Sequence, residues 1–311
     1  MSLAPWLQQS QQQIQHLKVS GDLSHALLIT GADGVGQESL AFAMAKDLMC
    51  ESPQAAACGQ CHSCQLMAAD THPDFRVLDG ESGTIKVDQI RNLVQKITQK
   101  PQVGQTKVVF ISHAQSMNIN AANAVLKALE EPSDRTFFLL TSSQSSRLLP
   151  TIRSRCLLVN VPTPNVEQVD AWLAEHNPEA NLSRLFWLTT QPFRLLSIEK
   201  NQKTDLFLTL PEKVNQFLQQ EMTVAELLKG LDSQNIEDYC NGLAAILHQS
   251  LCHSAGAPLH PALEAVYANL IHRIGIRVLM DRYQAIQNLK LALQKTNLNP
   301  IMQLTNELNQ W

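Results

Sequence analysis

The strongest constraint on the fold is an alternation of short apolar runs with helical patterns in the first half of the chain. Runs of five to seven residues that are apolar, β-branched or aromatic almost throughout are typical of buried strands in a parallel sheet. Because helical segments separate them, the pattern predicts an α/β domain whose sheet is covered on both faces. The runs are 25–30, 75–79, 107–112, 136–142 and 156–161.

Three helices are predicted between these runs, at 37–49, 88–97 and 118–130. Each segment places apolar side chains on one helical stripe. Pro132 stops the last of them, because proline cannot continue a helix.

The remainder of the chain has helical patterns only. Pro162 and Pro164 predict a linker, and Asn165 with Gln168 forms a capping-box variant at the start of a helix. We expect an α/β domain at 1–162, a small helical lid at 165–205 and an all-α C-terminal domain at 206–311. Helix breaks are expected at the following places: Pro178, Pro192, Pro211, Gly230 and 254–261.

The bulk composition narrows the class of protein. A net charge of −4 over 311 residues argues against a strongly basic, free-standing nucleic-acid binder. No run approaches the ~18 apolar residues of a membrane span. The glutamine-rich N-terminus lacks a secretory pattern, so we expect a cytoplasmic protein without membrane contact.

A glycine-rich turn follows the first apolar run and precedes the first helix. Gly31, Gly34 and Gly36 allow backbone amides to converge, which is the scaffold of a phosphate-binding loop. A working loop continues with Lys and then Ser or Thr, whereas this chain has Gln37 and Glu38. Glu38 beside a phosphate oxygen would cost about 4 kcal/mol at 4 Å and an effective dielectric of 20.

The third run provides a second test of catalytic competence. In P-loop enzymes this strand ends in acidic residues that hold magnesium, but here Ser112 and His113 occupy its end. A glycine-rich turn that never bound nucleotide remains an alternative from these residues alone. The chain therefore lacks both the Lys-Ser/Thr pair of the loop and the acidic residues after the third strand. Because ATP hydrolysis needs both, we expect no intrinsic ATPase activity and no ATP binding.

Four cysteines form a local cluster. Cys58, Cys61 and Cys64 have double Cys-x₂-Cys spacing, and Cys50 at the end of the preceding helix supplies a fourth thiolate. Four sulfur ligands favour a closed, structural zinc site, in a module at about 50–64. An iron–sulfur cluster and an unmetallated cluster are the alternatives. His62 is expected to face solvent.

The motifs over 25–160, in this order, resemble those of the clamp-loader branch of the AAA+ proteins. Within that branch they are most similar to the subunits of bacterial DNA polymerase III that lack the catalytic lysine and the acidic pair. The helical remainder of the chain matches only in kind. The residues that carry this resemblance are 25–28, the four cysteines, 72–75, 85–91, 123–132 and 154–156.

The resemblance implies an AAA+ P-loop-type sheet domain, a lid and a C-terminal collar domain that joins the subunits. It implies a five-subunit ring that loads the sliding clamp onto primer–template DNA in replication. In that ring gamma/tau subunits hydrolyse ATP and delta holds the clamp. The ring belongs to a DNA-directed DNA polymerase (nucleotidyltransferase) holoenzyme. The resemblance also implies structural zinc on the four cysteines.

Arg155 is the one catalytic residue that the resemblance assigns. An arginine before a strand is by itself typical of a surface charge. Within the family motif Ser154-Arg155-Cys156, the resemblance implies an arginine finger that acts in trans on the neighbouring ATPase subunit. Arg153 is expected to face solvent or a local carboxylate, and Arg194 receives no role.

Three other functions stay open at this point. One is an active P-loop ATPase of the same family with unusual ligands. Another is a stand-alone zinc-ribbon DNA binder, which the scarcity of basic runs disfavours. The third is a purely structural ring subunit without a finger.

Overall fold

A computed structural model describes residues 3–52, 56–81, 83–232, 235–293 and 299–311. The contacts divide the chain into two compact units, Met1–Gln168 and Val169–Trp311. The expected lid and collar boundaries stay predictions. The helix at Thr204–Leu218 runs through residues 205 and 206, where the lid was expected to end.

The first unit contains a sheet of five parallel strands in the order β2-β3-β4-β1-β5. Its central strands β1, β3 and β4 are buried along almost their whole length. Such continuous burial requires helices on both faces of the sheet. The strands are β1 Ala26–Thr30, β2 Phe75–Leu78, β3 Lys107–Ile111, β4 Thr136–Ser142 and β5 Leu157–Asn160.

Six helices complete this unit, together with a seventh that begins in it. Every strand and helix predicted up to residue 161 is present within a residue or two of its expected ends. The helices are α1 Pro5–Ser20, α2 Gln37–Met49, α3 His62–Ala68, α4 Val87–Ile97, α5 Ile119–Glu130, α6 Pro150–Arg153 and α7 Val166–His176; short 3₁₀ turns lie at Ala114–Ser116 and Ser145–Arg147.

Helix α1 was not predicted from the sequence. The helix is rich in glutamine, and its buried residues, which include Trp6, Leu7 and Ile14, form only a short stripe. Gly21 ends the helix in a left-handed conformation. The stripe is too narrow to give a clear periodic signal in a glutamine-rich segment. The predicted capping box is present at α7, where Asn165 and Gln168 exchange hydrogen bonds of 3.0 and 2.8 Å.

The described residues of the second unit form helices joined by turns and loops, with no strand among them, as predicted. With the sheet domain, this confirms the expected fold class. Its helices are the remainder of α7, α8 Pro192–Lys200, α9 Thr204–Leu218, α10 Val224–Leu227, α11 Ile236–Ser254, α12 Glu264–Arg273, α13 Ile276–Leu293 and α14 Pro300–Leu308, with 3₁₀ turns at Leu182–Leu185 and Pro261–Leu263.

The helix break predicted at Pro211 is wrong. Pro211 lies inside α9 and is buried, and the helix continues to Leu218. Proline removes one backbone hydrogen bond, but the buried stripe on both sides of it holds the helix together. Gly242 of α11 allows α11 to pack closely against this part of α9. A Cβ at position 242 would lie 2.2 Å from the Leu210 side chain, which is too close.

Among the described residues, no helix combines the length and the apolar character needed to cross a bilayer.

Candidate functional site

The glycine-rich loop has the backbone of a phosphate cradle. Gly36 precedes α2 with a φ of 103°, a conformation that L side chains rarely adopt. Gly34 also has a positive φ, of 69°. Trp6 of α1 anchors the loop from outside, because its indole Nε1 donates a 2.8 Å hydrogen bond to the Val35 carbonyl. The loop is therefore shaped by glycines and held by a buried tryptophan.

Gln37 occupies the position of the missing lysine and turns into the loop. Its side chain is 1% exposed, and Nε2 donates to the carbonyl of Ala32 at 3.1 Å and of Gly31 at 3.5 Å. Its Oε1 is buried with no hydrogen-bond partner among the described residues. Gln37 is therefore hydrogen-bonded to the loop's own carbonyls and places no charge at the lysine position.

The ionisable residues around the loop differ from those of a working P-loop. The loop contributes the carboxylates of Asp33 and Glu38, and the end of β3 contributes His113. The His113 Nε2 lies 4.0 Å from Asp33 Oδ1 and 3.9 Å from Glu38 Oε1. A triphosphate with magnesium needs a cation in the loop and carboxylates after β3.

The surroundings of Glu38 shift its pKa. Burial raises its pKa above the ordinary value of 4.5, and Asp33 adds to the rise. The backbone hydrogen bond of Glu38, His113 and the Thr141 hydroxyl act in the opposite direction. Thr141 is fully buried and also accepts the His113 backbone N–H at 3.2 Å. An anion placed beside Glu38 would raise this pKa further, so anion binding at the loop would be linked to protonation of Glu38.

One carboxylate does lie at the carboxyl edge of the sheet, but after β2. Asp79 accepts a 2.5 Å hydrogen bond from the Ser112 hydroxyl, which lowers the pKa of Asp79. Ser112 Oγ also accepts the Gly80 backbone N–H at 3.3 Å. Asp79 is thus committed to joining the ends of β2 and β3. Sequence reasoning missed it because the pairing of β2 with β3 is a tertiary contact.

A pocket of about 280 Å³ opens beside the loop, at the ends of β1, β4 and β5. Its described lining is rich in hydroxyl groups, including Thr30, Ser142 and Ser143, and contains no Lys or Arg. Without a cation, this pocket offers little to a polyphosphate.

Arg155 lies between α6 and β5 and is half-buried. Its Nη2 lies 2.5 Å from Glu130 Oε1 at the end of α5, and its Nη1 donates a 2.9 Å hydrogen bond to the Thr151 carbonyl. The side chains of Arg155 and Glu130 are 34% and 48% exposed, so the guanidinium remains accessible. Arg153 is exposed, in agreement with its prediction.

The four predicted cysteine ligands come together between α2 and α3. Their sulfurs all lie within 4.8 Å of one another. Cys50 Sγ is 3.9 Å from Cys61 Sγ, and Cys58 Sγ is 4.0 Å from Cys64 Sγ. Four sulfurs bound tetrahedrally at about 2.3 Å from zinc are about 3.8 Å apart. The donor set and its spacing therefore fit a closed tetrahedral zinc site.

Backbone amides surround these sulfurs. The Cys58 and Ser52 N–H groups donate to Cys50 Sγ at 3.3 and 3.4 Å, and the Cys64 N–H donates to Cys61 Sγ at 3.4 Å. The Cys61 N–H donates to Cys58 Sγ at 3.4 Å. Hydrogen bonds of this kind stabilise thiolates, the form that binds metal.

The thiols in the cluster titrate in opposite directions. Hydrogen bonds from the Gln60 and Cys61 amides lower the pKa of Cys58 to about 6. Burial and the neighbouring thiols raise the pKa of Cys64 to about 12. Neighbouring thiolates repel one another, and a bound divalent cation would offset that repulsion.

Ser63 links the cysteine module to the rest of the sheet domain by hydrogen bonds. Ser63 is buried, and its hydroxyl contacts the Met49 carbonyl at 2.7 Å and His72 Nε2 at 2.9 Å. The His72 Nδ1 accepts the Asp74 N–H at 3.1 Å, and burial lowers the pKa of His72. The family motif around His72 therefore supports the module. Exposed His62 lies outside the sulfur cluster, as predicted.

Asp47 of α2 provides a second attachment. It is 4% exposed, and its carboxylate accepts the Ala57 N–H at 2.7 Å and the Gln15 side-chain amide at 2.9 Å. It joins the module to both α1 and α2. Residues 53–55 of the expected module lie outside the described part of the chain.

Comparison with known proteins was decisive for the family. Residues 6–165 match the family model described as DNA polymerase III, delta subunit. The DNA polymerase III subunit delta' of Pseudomonas aeruginosa is 36% identical over 300 residues, which cover 93% of this chain and 92% of that protein. The chain belongs to the delta-prime family.

Other members of the family match over shorter stretches. Subunit delta' of Haemophilus influenzae is 36% identical over 267 residues, which cover 83% of this chain and 80% of that protein. The Escherichia coli subunit is 39% identical over 173 residues, which cover 55% and 52% respectively. Among solved structures, a Thermotoga maritima DNA polymerase III gamma subunit-related protein has a TM-score of 0.45 at 17% identity, with 96% of this chain and 97% of that chain covered. That structural likeness is too weak to carry an inference.

Proposed function

We propose that this delta-prime family member is a non-hydrolysing subunit of the clamp loader of DNA polymerase III. In this proposal it assembles in the cytoplasm with gamma/tau and delta subunits and helps to load the sliding clamp onto primed DNA. The observation that carries the proposal is the residue set at the nucleotide loop, where Gln37 stands in place of the lysine, Asp33 and Glu38 are the ionisable groups and His113 follows β3. This set lacks both the cation that binds phosphate and the carboxylates that hold magnesium in a working loop.

Arg155 supplies the catalytic contribution in this proposal. A guanidinium is permanently charged and matches a phosphate with two N–H groups, which suits a neighbour's γ-phosphate. Arg155 is accessible, and its contact with Glu130 is a surface ion pair worth about 0–1 kcal/mol. Exchange of that carboxylate for a phosphate oxygen therefore costs little. The support for this role is the family motif together with the exposure of the guanidinium.

The cysteine module has a structural part in the proposal. Cys50, Cys58, Cys61 and Cys64 would hold one zinc ion with all four positions filled. When bound, the ion supplies a tetrahedral crosslink and neutralises the thiolates. A site without an open position does not bind substrate.

The test is ATP turnover by the reconstituted assembly of this chain with delta, gamma/tau, clamp and primed DNA. Wild type is compared with Arg155→Ala and with the control Arg153→Ala, which removes an exposed arginine two residues away. At the site that Arg155 completes, Arg155→Ala should reduce turnover by about 10³–10⁵-fold. The sites completed by other subunits set the residual rate.

The outcomes separate the alternatives. Turnover by the isolated chain would support an active ATPase with unusual ligands. Equal turnover by wild type and Arg155→Ala assemblies would leave a purely structural ring subunit. Salt-dependent DNA binding by the isolated chain would favour a stand-alone zinc-ribbon protein.

A further inference from the structure

A second concave site lies within the helical unit, and the proposed function does not use it. The pocket has a volume of about 270 Å³ and is formed by α8, α11, α13 and the segment before α8. Trp187, Leu188 and Ala244 provide apolar surface in it. Trp187 is 1% exposed and is therefore a fixed part of the wall.

Two cations converge on this pocket. Arg194 of α8 and Lys290 of α13 both line it, and His248 of α11 lies on the same surface. The described lining residues include no Asp or Glu, and neither cation forms a salt bridge within the described ranges. The lining of the pocket is therefore positive in a chain with a net charge of −4.

The position of Arg194 is not explained by the stability of its own helix. It lies in the first turn of α8, which begins at Pro192. The helix macrodipole is positive at that end and disfavours a cation by a few tenths to about 1 kcal/mol. Lys290 lies in the last turn of α13, where the macrodipole favours it. The macrodipole therefore gives no reason for a cation at Arg194, which is exposed on the pocket side of α8.

The two cations also act on each other. Burial lowers the pKa of Lys290, and the charge of Arg194 lowers it further. Cys240 and Glu237 act in the opposite direction but do not remove the effect. An anion bound between Arg194 and Lys290 would relieve both the burial of the ammonium and the like-charge repulsion.

The remaining walls suit a ligand larger than a bare ion. The rings of His248 and Tyr283 lie 5.9 Å apart at an angle of 44°. Side-chain amides of Asn241, Gln249 and Gln287 also line the cavity. Aromatic faces and amide groups are the contacts that a planar, hydrogen-bonding ring uses, as nucleobases do.

We propose that this pocket binds a phosphate-bearing ligand, with the phosphate between Arg194 and Lys290 and a planar group against Tyr283. A free nucleotide and the end of a nucleic-acid strand carry the same phosphate chemistry, and both fit this description. The site is formed entirely by residues of the second unit. It is therefore independent of the glycine-rich loop and of Arg155.

The test is a calorimetric titration of the full chain with three phosphate probes and one acidic peptide. Inorganic pyrophosphate reports the phosphate contact alone, ADP adds a ring, and a ten-residue single strand of thymidylate supplies a polymer. Tighter binding of ADP than of the strand identifies a free nucleotide as the ligand. The opposite order identifies nucleic acid. An acidic peptide that binds where no phosphate does would overturn the proposal.

Variants locate the binding. Arg194→Gln and Lys290→Gln should each weaken binding of the preferred probe by about ten- to one-hundredfold, the loss expected for one charge-assisted hydrogen bond. Lys290→Arg should retain most of the affinity. Lys200→Gln is the matched control, because Lys200 is an exposed cation on α8 that does not line the pocket.

Thermal unfolding shows whether a variant that binds the probe weakly is still folded. Arg194→Gln removes a repulsive neighbour of Lys290, so the variant should unfold at the wild-type temperature or above. Unchanged probe affinity in both Gln variants would place any binding elsewhere. Failure of all three probes to bind wild type at millimolar concentration would overturn the proposal outright.

Discussion

The glycine-rich loop and the cysteine module lie in the same sheet domain, yet one has lost its chemical groups and the other has kept all of them. The shape of the loop is fixed by glycine conformations and by the Trp6 contact. The module has four ligands within 4.8 Å and little else at its centre. A scaffold held by a surrounding core tolerates the loss of its site residues. A small segment organised around a metal does not.

The largest expected effect concerns the cysteine module. Cys64→Ser should abolish stoichiometric zinc and lower the free energy of unfolding by more than about 3 kcal/mol, because a structural metal is coupled to folding. Metal analysis and urea unfolding with and without a chelator measure both changes. Cys252→Ser, a half-buried cysteine outside the cluster, should retain both zinc and stability. Iron in the purified wild type would instead support an iron–sulfur cluster.

The attachment of the module gives the next largest effect. Asp47→Ala removes a buried carboxylate that accepts hydrogen bonds from Ala57 and Gln15. The free energy of unfolding should fall by about 1–3 kcal/mol because these donors lose their partner. Zinc should remain bound, since the four sulfurs are unchanged. Loss of zinc together with stability would mean that Asp47 organises the cluster itself.

The third prediction concerns the glycine-rich loop and restores its phosphate-binding residues. Gln37→Lys combined with Glu38→Thr returns the phosphate-binding cation and hydroxyl and removes one carboxylate. ATP affinity should rise by about tenfold or more, while turnover stays at background because no carboxylate follows β3. Gln37→Met with Glu38→Thr is the control without the cation. Turnover by the restored chain would show that the end of β3 is competent after all.

The smallest effect concerns the pH dependence of stability. The folded-state pKa of Glu38 is raised, so stability falls as pH increases from 4.5 through that raised value. Glu38→Gln should therefore stabilise the chain at neutral and higher pH by a fraction of 1 kcal/mol, reduced by solvent screening. Below pH 4.5 the two proteins should be equally stable. Thermal unfolding over this pH range checks the sign, and a destabilised variant at neutral pH would mean that the contact with His113 dominates.

Local pattern was sufficient for much of the sheet domain. The strands at 25–30 and 107–112 are found because buried parallel strands are apolar throughout. The cysteine cluster is found because its spacing is short and its ligand chemistry is specific. Helix α1 was missed since its buried residues lie among glutamines, and the break at Pro211 was wrong because tertiary burial outweighs one missing hydrogen bond.

The sequence by itself determined the class of fold, the loss of the catalytic lysine and acidic pair, and the presence of four thiol ligands. Each of these depends on residue identity and on short-range spacing. Only the tertiary structure decided that His113 lies opposite Glu38, that Glu130 pairs with Arg155, and that Arg194 and Lys290 share one pocket. Such contacts join residues distant in the chain, and the order of the strands and the packing of the helices bring them together.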